Sequence, residues 1–124
     1  MADQPPISDA ESLVMDILWQ RAPQTADEIV AALAASSDWQ EATIKTFLNR
    51  LLKKGVIRAE YAGRRYLYSP VLARADWVDA QSRSVLQRLF GGRVAPLVAH
   101  FSERQALSRD DIAELRKLID KLDR

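Results

Sequence analysis

The sequence predicts a mainly α chain: a winged helix-turn-helix of three helices and a β-hairpin wing, followed by a helical dimerisation module. Three observations predict it. Two short amphipathic segments are joined by a small polar connection, a hairpin pattern with a basic tip follows at once, and everything after Pro70 returns to helical periodicity. The winged domain is therefore assigned to residues 1–70 and the dimerisation domain to 71–124.

The elements follow in order from local spacing. Ser8-Asp9-Ala10-Glu11 is a capping box, a serine that accepts from the third helical amide and a glutamate that reaches back, so a helix starts there. Its buried stripe is expected to be Leu13, Val14, Ile17 and Leu18, with Met15 and Trp19 on the flanks, and Ala22-Pro23 ends it. Thr25-Ala26-Asp27-Glu28 is a second capping box, opening a helix with Ala26, Ile29, Val30 and Leu33 inward. Ser36-Ser37-Asp38 is the polar connection, Gln40 or Asp38 the next cap, and Trp39 an anchor for the turn.

The third helix, from Thr43 to Lys54, has two unlike faces. Ile44, Phe47, Leu48, Leu51 and Leu52 fall on one side; Thr43, Thr46, Asn49, Arg50 and Lys53 fall on the other, with no carboxylate among them. Lysine, arginine and threonine donate to phosphates, and asparagine pairs with adenine in the major groove. An outer face of this kind is otherwise simply solvated. Context favours the sharper reading, because Gly55 ends the helix, Val56–Tyr61 reads as a strand, Ala62-Gly63-Arg64-Arg65 as a turn and Tyr66–Tyr68 as the return strand. The candidate DNA-contacting residues are Thr43, Lys45, Thr46, Asn49, Arg50, Lys53 and Lys54 on the helix, with Arg64 and Arg65 on the wing.

Charge distribution supports that assignment better than the formal net charge of +1. Residues 1–42 carry one base against eight acids, whereas residues 43–65 carry seven bases against Glu60 alone. Screening at physiological salt confines each charge to roughly 8 Å, so a local basic cluster is what phosphate contact needs.

After Pro70 the pattern is helical again. Ala75–Phe90, broken by Gly91-Gly92, is followed by an apolar turn from Pro96 to Phe101 and by a last helix capped by Ser108 with Asp111 reaching back. Three short apolar helices in about fifty residues cannot wrap a core of their own, so a second copy is expected to cover them. The expected dimer residues are Trp77, Val85, Leu89, Leu97, Phe101, Ile112, Leu115, Leu118, Ile119 and Leu122. The other reading packs these helices back on the winged domain of a monomer.

Composition narrows the rest. The 124 residues contain no cysteine, which excludes disulfides, thiolate metal sites and thiol nucleophiles. A single histidine, no Gly-rich phosphate loop and no Ser/His/Asp order argue against an enzyme, and His100 has no second ligand near it in sequence, so neither metal nor cofactor is expected. No run of about 18 apolar residues occurs, and Met1–Pro6 is polar and acidic. Neither a membrane span nor a signal peptide is expected, and the expected compartment is the cytoplasm.

From Ile7 to Leu122 the chain resembles the penicillinase and methicillin-resistance repressor family, the BlaI/MecI type. The stretches that carry the resemblance are I-S-D-A-E-S-L-V-M-D-I-L-W (7–19), T-A-D-E-I (25–29) and W-Q-E-A-T-I-K-T-F-L-N-R-L-L-K-K-G (39–55), then G-R-R-Y-L-Y-S-P (63–70), L-F-G-G (89–92) and P-L-V-A-H-F (96–101). The resemblance implies a dimeric winged-helix repressor that occupies a palindromic double-stranded operator until a signal removes it. It further implies a membrane-bound sensor metalloprotease as partner, activated by a β-lactam and cutting within the dimerisation part. His100-Phe101 matches the scissile bond, with histidine where the family usually has asparagine. Copper-responsive relatives use a cysteine-rich site that this chain lacks. The alternatives are a repressor of the same family with another input, and a winged-helix module docking an acidic protein.

Overall fold

The computed structural model describes residues 4–123; Met1–Asp3, counted above with the polar amino terminus, lie outside the described residues. The elements are α1 (Asp9–Gln20), α2 (Ala26–Ala34), α3 (Glu41–Lys54), β1 (Ile57–Ala62), β2 (Arg65–Pro70), α4 (Arg74–Phe90), α5 (Val94–Glu103) and α6 (Arg109–Leu122). They form two compact units, Met1–Ala80 and Gln81–Arg124.

Three helices start at reciprocal caps. The Glu11 amide donates to Ser8 Oγ at 3.1 Å while the Ser8 amide donates to Glu11 Oε1 at 2.9 Å, and Thr25 with Glu28 repeats the arrangement at 3.2 and 3.1 Å. Ser108 and Asp111 do the same at the start of α6. Each such cap contributes about 1 kcal/mol. Gln40 stands at the start of α3 without a side-chain bond, and Gly55 closes that helix in the left-handed region at φ 76°, where a Cβ would be strained.

The core of the first unit gathers Val14, Met15 and Leu18 of α1, Ile29 and Leu33 of α2, and Ile44, Leu48 and Leu51 of α3, closed by Val56 and Ile57 at the start of the hairpin. On α2 and α3 the expected stripes face the core, with Ala26, Val30, Phe47 and Leu52 only half-buried. On α1 the stripe is rotated from the expectation. Leu13 is 45% exposed, whereas Met15 is fully buried. The inward set is Glu11, Val14, Met15 and Leu18, which has i, i+3, i+4, i+7 spacing and places a carboxylate inside.

The wing is an antiparallel pair running in register from Ile57↔Pro70 to Ala62↔Arg65. β1 keeps its expected length but lies one residue further on, and β2 is longer than expected, so the turn shrinks from four residues to Gly63-Arg64, with Gly63 at φ 64° in the first turn position, and Arg65 belongs to β2. Gln24, to which the sequence assigned no part, joins the wing to the helices. Its amide donates to the Tyr68 carbonyl at 3.0 Å and its carbonyl accepts from the Tyr68 amide at 2.8 Å. Its buried side chain donates to the carbonyls of Ile17 and Arg21 at 3.0 and 2.6 Å, satisfying two end groups of α1.

The division between the units falls within α4, later than the change of pattern at Pro70. Trp19 accounts for this: its indole donates to the Leu72 carbonyl at 2.9 Å and its ring lies 5.5 Å from that of Trp77. Trp77, expected among the dimer residues, therefore packs within the first unit. Trp39 meets Phe47 edge-on at 5.1 Å, as an anchor of the turn would.

Two carboxylates make the first unit sensitive to acid. Burial pushes the Glu11 carboxyl up, but the Lys54 ammonium and the Ser8 amide and hydroxyl outweigh it and hold it below the ordinary 4.5. The Thr25 amide and hydroxyl, then Arg21, lower Glu28 in the same direction. A depressed carboxyl stabilises the fold above its unfolded value and loses that contribution as pH falls. Unfolding free energy measured in urea should thus be level near neutrality and decline below about pH 4.5, with a shallower acid limb for Glu11→Gln; an unchanged limb would refute the assignment. Leu48→Ala, at a position 1% exposed, should cost about 2–5 kcal/mol in the same measurement.

Candidate nucleic-acid interface

Burying Ile44, Leu48 and Leu51 decides which side of α3 faces out. Lys45, Thr46, Asn49, Arg50 and Lys53 are exposed there, with Thr43 half-buried at the edge. Among the described residues, the side chains of Asn49, Arg50, Lys53, Arg64 and Arg65 find no hydrogen-bond or ion-pair partner. With no partner in the chain to displace, this row of long, solvated donors is open to an external acceptor.

Two members of the predicted set are already engaged near the start of the helix. Thr46 Oγ1 donates to the Ala42 carbonyl at 3.0 Å, which leaves its oxygen as an acceptor. Lys45 lies 3.6 Å from Glu41, so α3, which begins two residues earlier than the expected stretch, does carry one carboxylate beside its polar face. An exposed pair of this kind is worth about 0–1 kcal/mol and exchanges readily for a phosphate.

Lys54 is placed elsewhere. Its ammonium donates to Glu11 Oε1 and to the Pro6 carbonyl, both at 2.7 Å, and its side chain is only 28% exposed. Unlike the rest of the expected set, Lys54 has its partners within the chain: periodicity put it beside Lys53, and a buried carboxylate on α1 drew it inward.

The wing extends the cationic face. Arg64 is at the tip and Arg65 one residue into β2, both exposed. A groove of about 240 Å³ between the start of α2, α3 and β2 brings Lys45 and Arg65 together with Tyr66 and Tyr68, while Asp27 lines its other side. Tyr61 and Tyr66 were missed by the sequence reading. They are 65% and 53% exposed and stack edge-on at 5.0 Å across Tyr61↔Tyr66 of the hairpin. Strand alternation was the signal that pairs them. Tyr66 adds a hydroxyl to the cationic groove.

The second unit, described by itself, has no buried residue among those described. Val85 and Leu89 of α4, Phe101 of α5, and Ile112, Leu118, Ile119 and Leu122 of α6 are exposed, from 36% at Val85 to 84% at Leu122. Leu97 and Leu115 are half-buried. Leu97, Phe101, Leu107, Leu115 and Leu118 line an apolar groove of about 270 Å³ between α5 and α6, with Asp111 and Glu114 also along it. The His100 ring lies 5.4 Å from that of Phe101 and 6.1 Å from that of Phe90, inside helix α5. Among the described residues no three His, Cys, Asp or Glu side chains converge as a metal site would need, and no helix is long and apolar enough to cross a membrane.

Comparison with known proteins places this geometry. A family model described as Penicillinase repressor matches residues 7–121. The chain is 34% identical over 117 residues to a penicillinase repressor of Bacillus licheniformis, covering 94% of this chain and 91% of that one. It is 32% identical over 115 residues to the methicillin resistance regulatory protein MecI of Staphylococcus aureus (strain N315), covering 93% and 94%. Among solved structures it is similar to the Bacillus licheniformis BlaI monomeric form in complex with the blaP half-operator, with a TM-score of 0.54 and 37% identity over 61% of this chain and 93% of that chain.

Proposed function

We propose that this chain, which belongs to the penicillinase repressor family and is a DNA-binding repressor, occupies a two-fold related operator as a homodimer and is released by proteolysis in its second unit. The observation that carries the reading is the exposed, internally unpartnered row of Asn49, Arg50 and Lys53 on α3, flanked by Arg64 and Arg65. A solved relative of the same domain was determined with a half-operator, which supports the same use of the matching surface here.

In this reading α3 lies in the major groove. Asn49 and Arg50 meet base edges, Thr43, Thr46, Lys45 and Lys53 meet sugar and phosphate, and the wing arginines grip the flanking backbone. Lys54 takes no part in the contact, and Tyr66 joins Lys45 and Arg65 at the backbone. The repressor acts in the cytoplasm, where its DNA is.

The second unit serves pairing. Its exposed Val85, Leu89, Phe101, Ile112, Leu118, Ile119 and Leu122, with Leu97 and Leu115 in the grooves, become a core when a second copy covers them. Two linked domains on one operator bind far more tightly than either alone, because the second contact is intramolecular. The His100-Phe101 bond lies within α5, so a sensor metalloprotease would reach it through an opened form of that helix. The cut separates α6 from the rest, pairing weakens, and the operator empties while the α3 surface stays unchanged.

Electrophoretic shift on the upstream intergenic DNA against a scrambled duplex tests the binding. The expected outcome is a specific, salt-sensitive complex; no shift on either duplex would overturn the reading. Arg50→Ala should cost about 1–3 kcal/mol on the operator and relax its sequence preference. Replacing Arg64 and Arg65 together should weaken both duplexes alike, lowering the salt slope by about 0.9 for each phosphate left without its arginine. For the pairing, Leu118→Asp with Ile119→Asp should turn a dimer into a monomer in sedimentation and lower operator affinity by on the order of 10²-fold or more. A wild-type chain that sediments as a monomer and binds half and whole operators equally would refute the homodimer.

A further inference from the structure

The one strongly desolvated charge pair among the described residues joins α1 to the end of α3. Glu11 is 2% exposed; its Oε1 accepts from Lys54 Nζ at 2.7 Å and from the Ser8 amide at 2.9 Å, while Lys54 also donates to the Pro6 carbonyl. The second carboxylate oxygen, Oε2, is buried with no hydrogen-bond partner among the described residues. Stability alone does not call for this pair, since an apolar pair of similar volume commonly stabilises as well or better.

What such a pair supplies is direction. Ile44, Leu48 and Leu51 hold α3 by apolar contact, which is non-directional and tolerates small rotations and slides of a helix. A short charge-assisted bond at the last residue of α3 does not, because the ammonium must stay within reach of both Glu11 and the Pro6 carbonyl. Arg50 stands one turn before Lys54 on the same helix, so the rotation and axial position of α3 that Lys54 locks are those that aim Asn49 and Arg50.

We propose that Glu11 and Lys54 are positioning residues for operator specificity: the ion pair sets the register of α3, and neither side chain touches DNA. The proposal rests on the DNA-binding reading of α3 and adds to it the reason one lysine of that helix is turned away. Glu11 carries the argument, because a carboxylate 2% exposed cannot reach a phosphate, yet its removal should alter which DNA is bound.

The test compares operator and scrambled duplex over a salt series for the full-length chain and for Glu11→Gln, Lys54→Met and the double variant, each checked for native circular dichroism. Glu11→Gln is the conservative arm, since the amide oxygen still accepts from Ser8. Each single variant should lower operator affinity by roughly tenfold, about what one mismatched base pair costs, with the scrambled duplex changed less than about twofold and both salt slopes unaltered. The double variant should lose less than the two single losses combined, because it leaves no lone buried charge. A fall in the salt slope of about 0.9 on both duplexes for Lys54→Met would make Lys54 a phosphate contact and overturn the proposal. So would an unchanged operator-to-scrambled ratio in Glu11→Gln. A wild-type chain that binds neither duplex would overturn the DNA-binding reading as well, whereas an intact wild-type shift with unchanged variant ratios would remove this proposal alone.

Discussion

Burial of one stripe of α3 is the constraint on which the first unit depends. Ile44, Leu48 and Leu51 are each at most 1% exposed, in one cluster with Val14, Met15 and Leu18 of α1 and Ile29 and Leu33 of α2. A helix of 14 residues with three such positions has its rotation chosen, and the positions between them must face water or a partner. The same burial that stabilises the domain therefore presents Asn49, Arg50 and Lys53. One side of the element carries the core, and the other is left to solvent and outside partners.

Polar devices then hold what apolar contact leaves loose. The capping boxes at Ser8 and Thr25 settle where α1 and α2 begin, and Gln24 ties the end of α1 to Tyr68 of the wing through four hydrogen bonds. The Glu11–Lys54 pair adds a bond between the start of α1 and the end of α3. None of these is large singly, at about 1 kcal/mol for a cap or a hydrogen bond. Each acts at an end of an element, where it limits small angular errors that would be carried along the helix.

The second unit shows the opposite balance. Its helices are regular and well capped at Ser108, yet no described residue is buried and α6 leaves Leu118, Ile119 and Leu122 to solvent. Apolar area of that extent stabilises nothing until it is covered, at about 25 cal/mol per Å² removed from water.

Local spacing made much of this legible. Three capping boxes, the Gly55 stop, the Gly63 turn and the inward stripes of α2 and α3 all depend on residues within one or two turns of each other, and the family followed from the same stretches. Tertiary structure alone decided that Lys54 faces Glu11 across 43 positions of chain, that Gln24 pairs with Tyr68, that Trp77 packs on Trp19, and that Met15 is inside while Leu13 is not. The reason is physical. Periodicity locates a face to within about a quarter of a helix turn, and it gives no weight to partners far along the chain, whereas a desolvated carboxylate or an indole ring is placed by whatever the fold brings beside it.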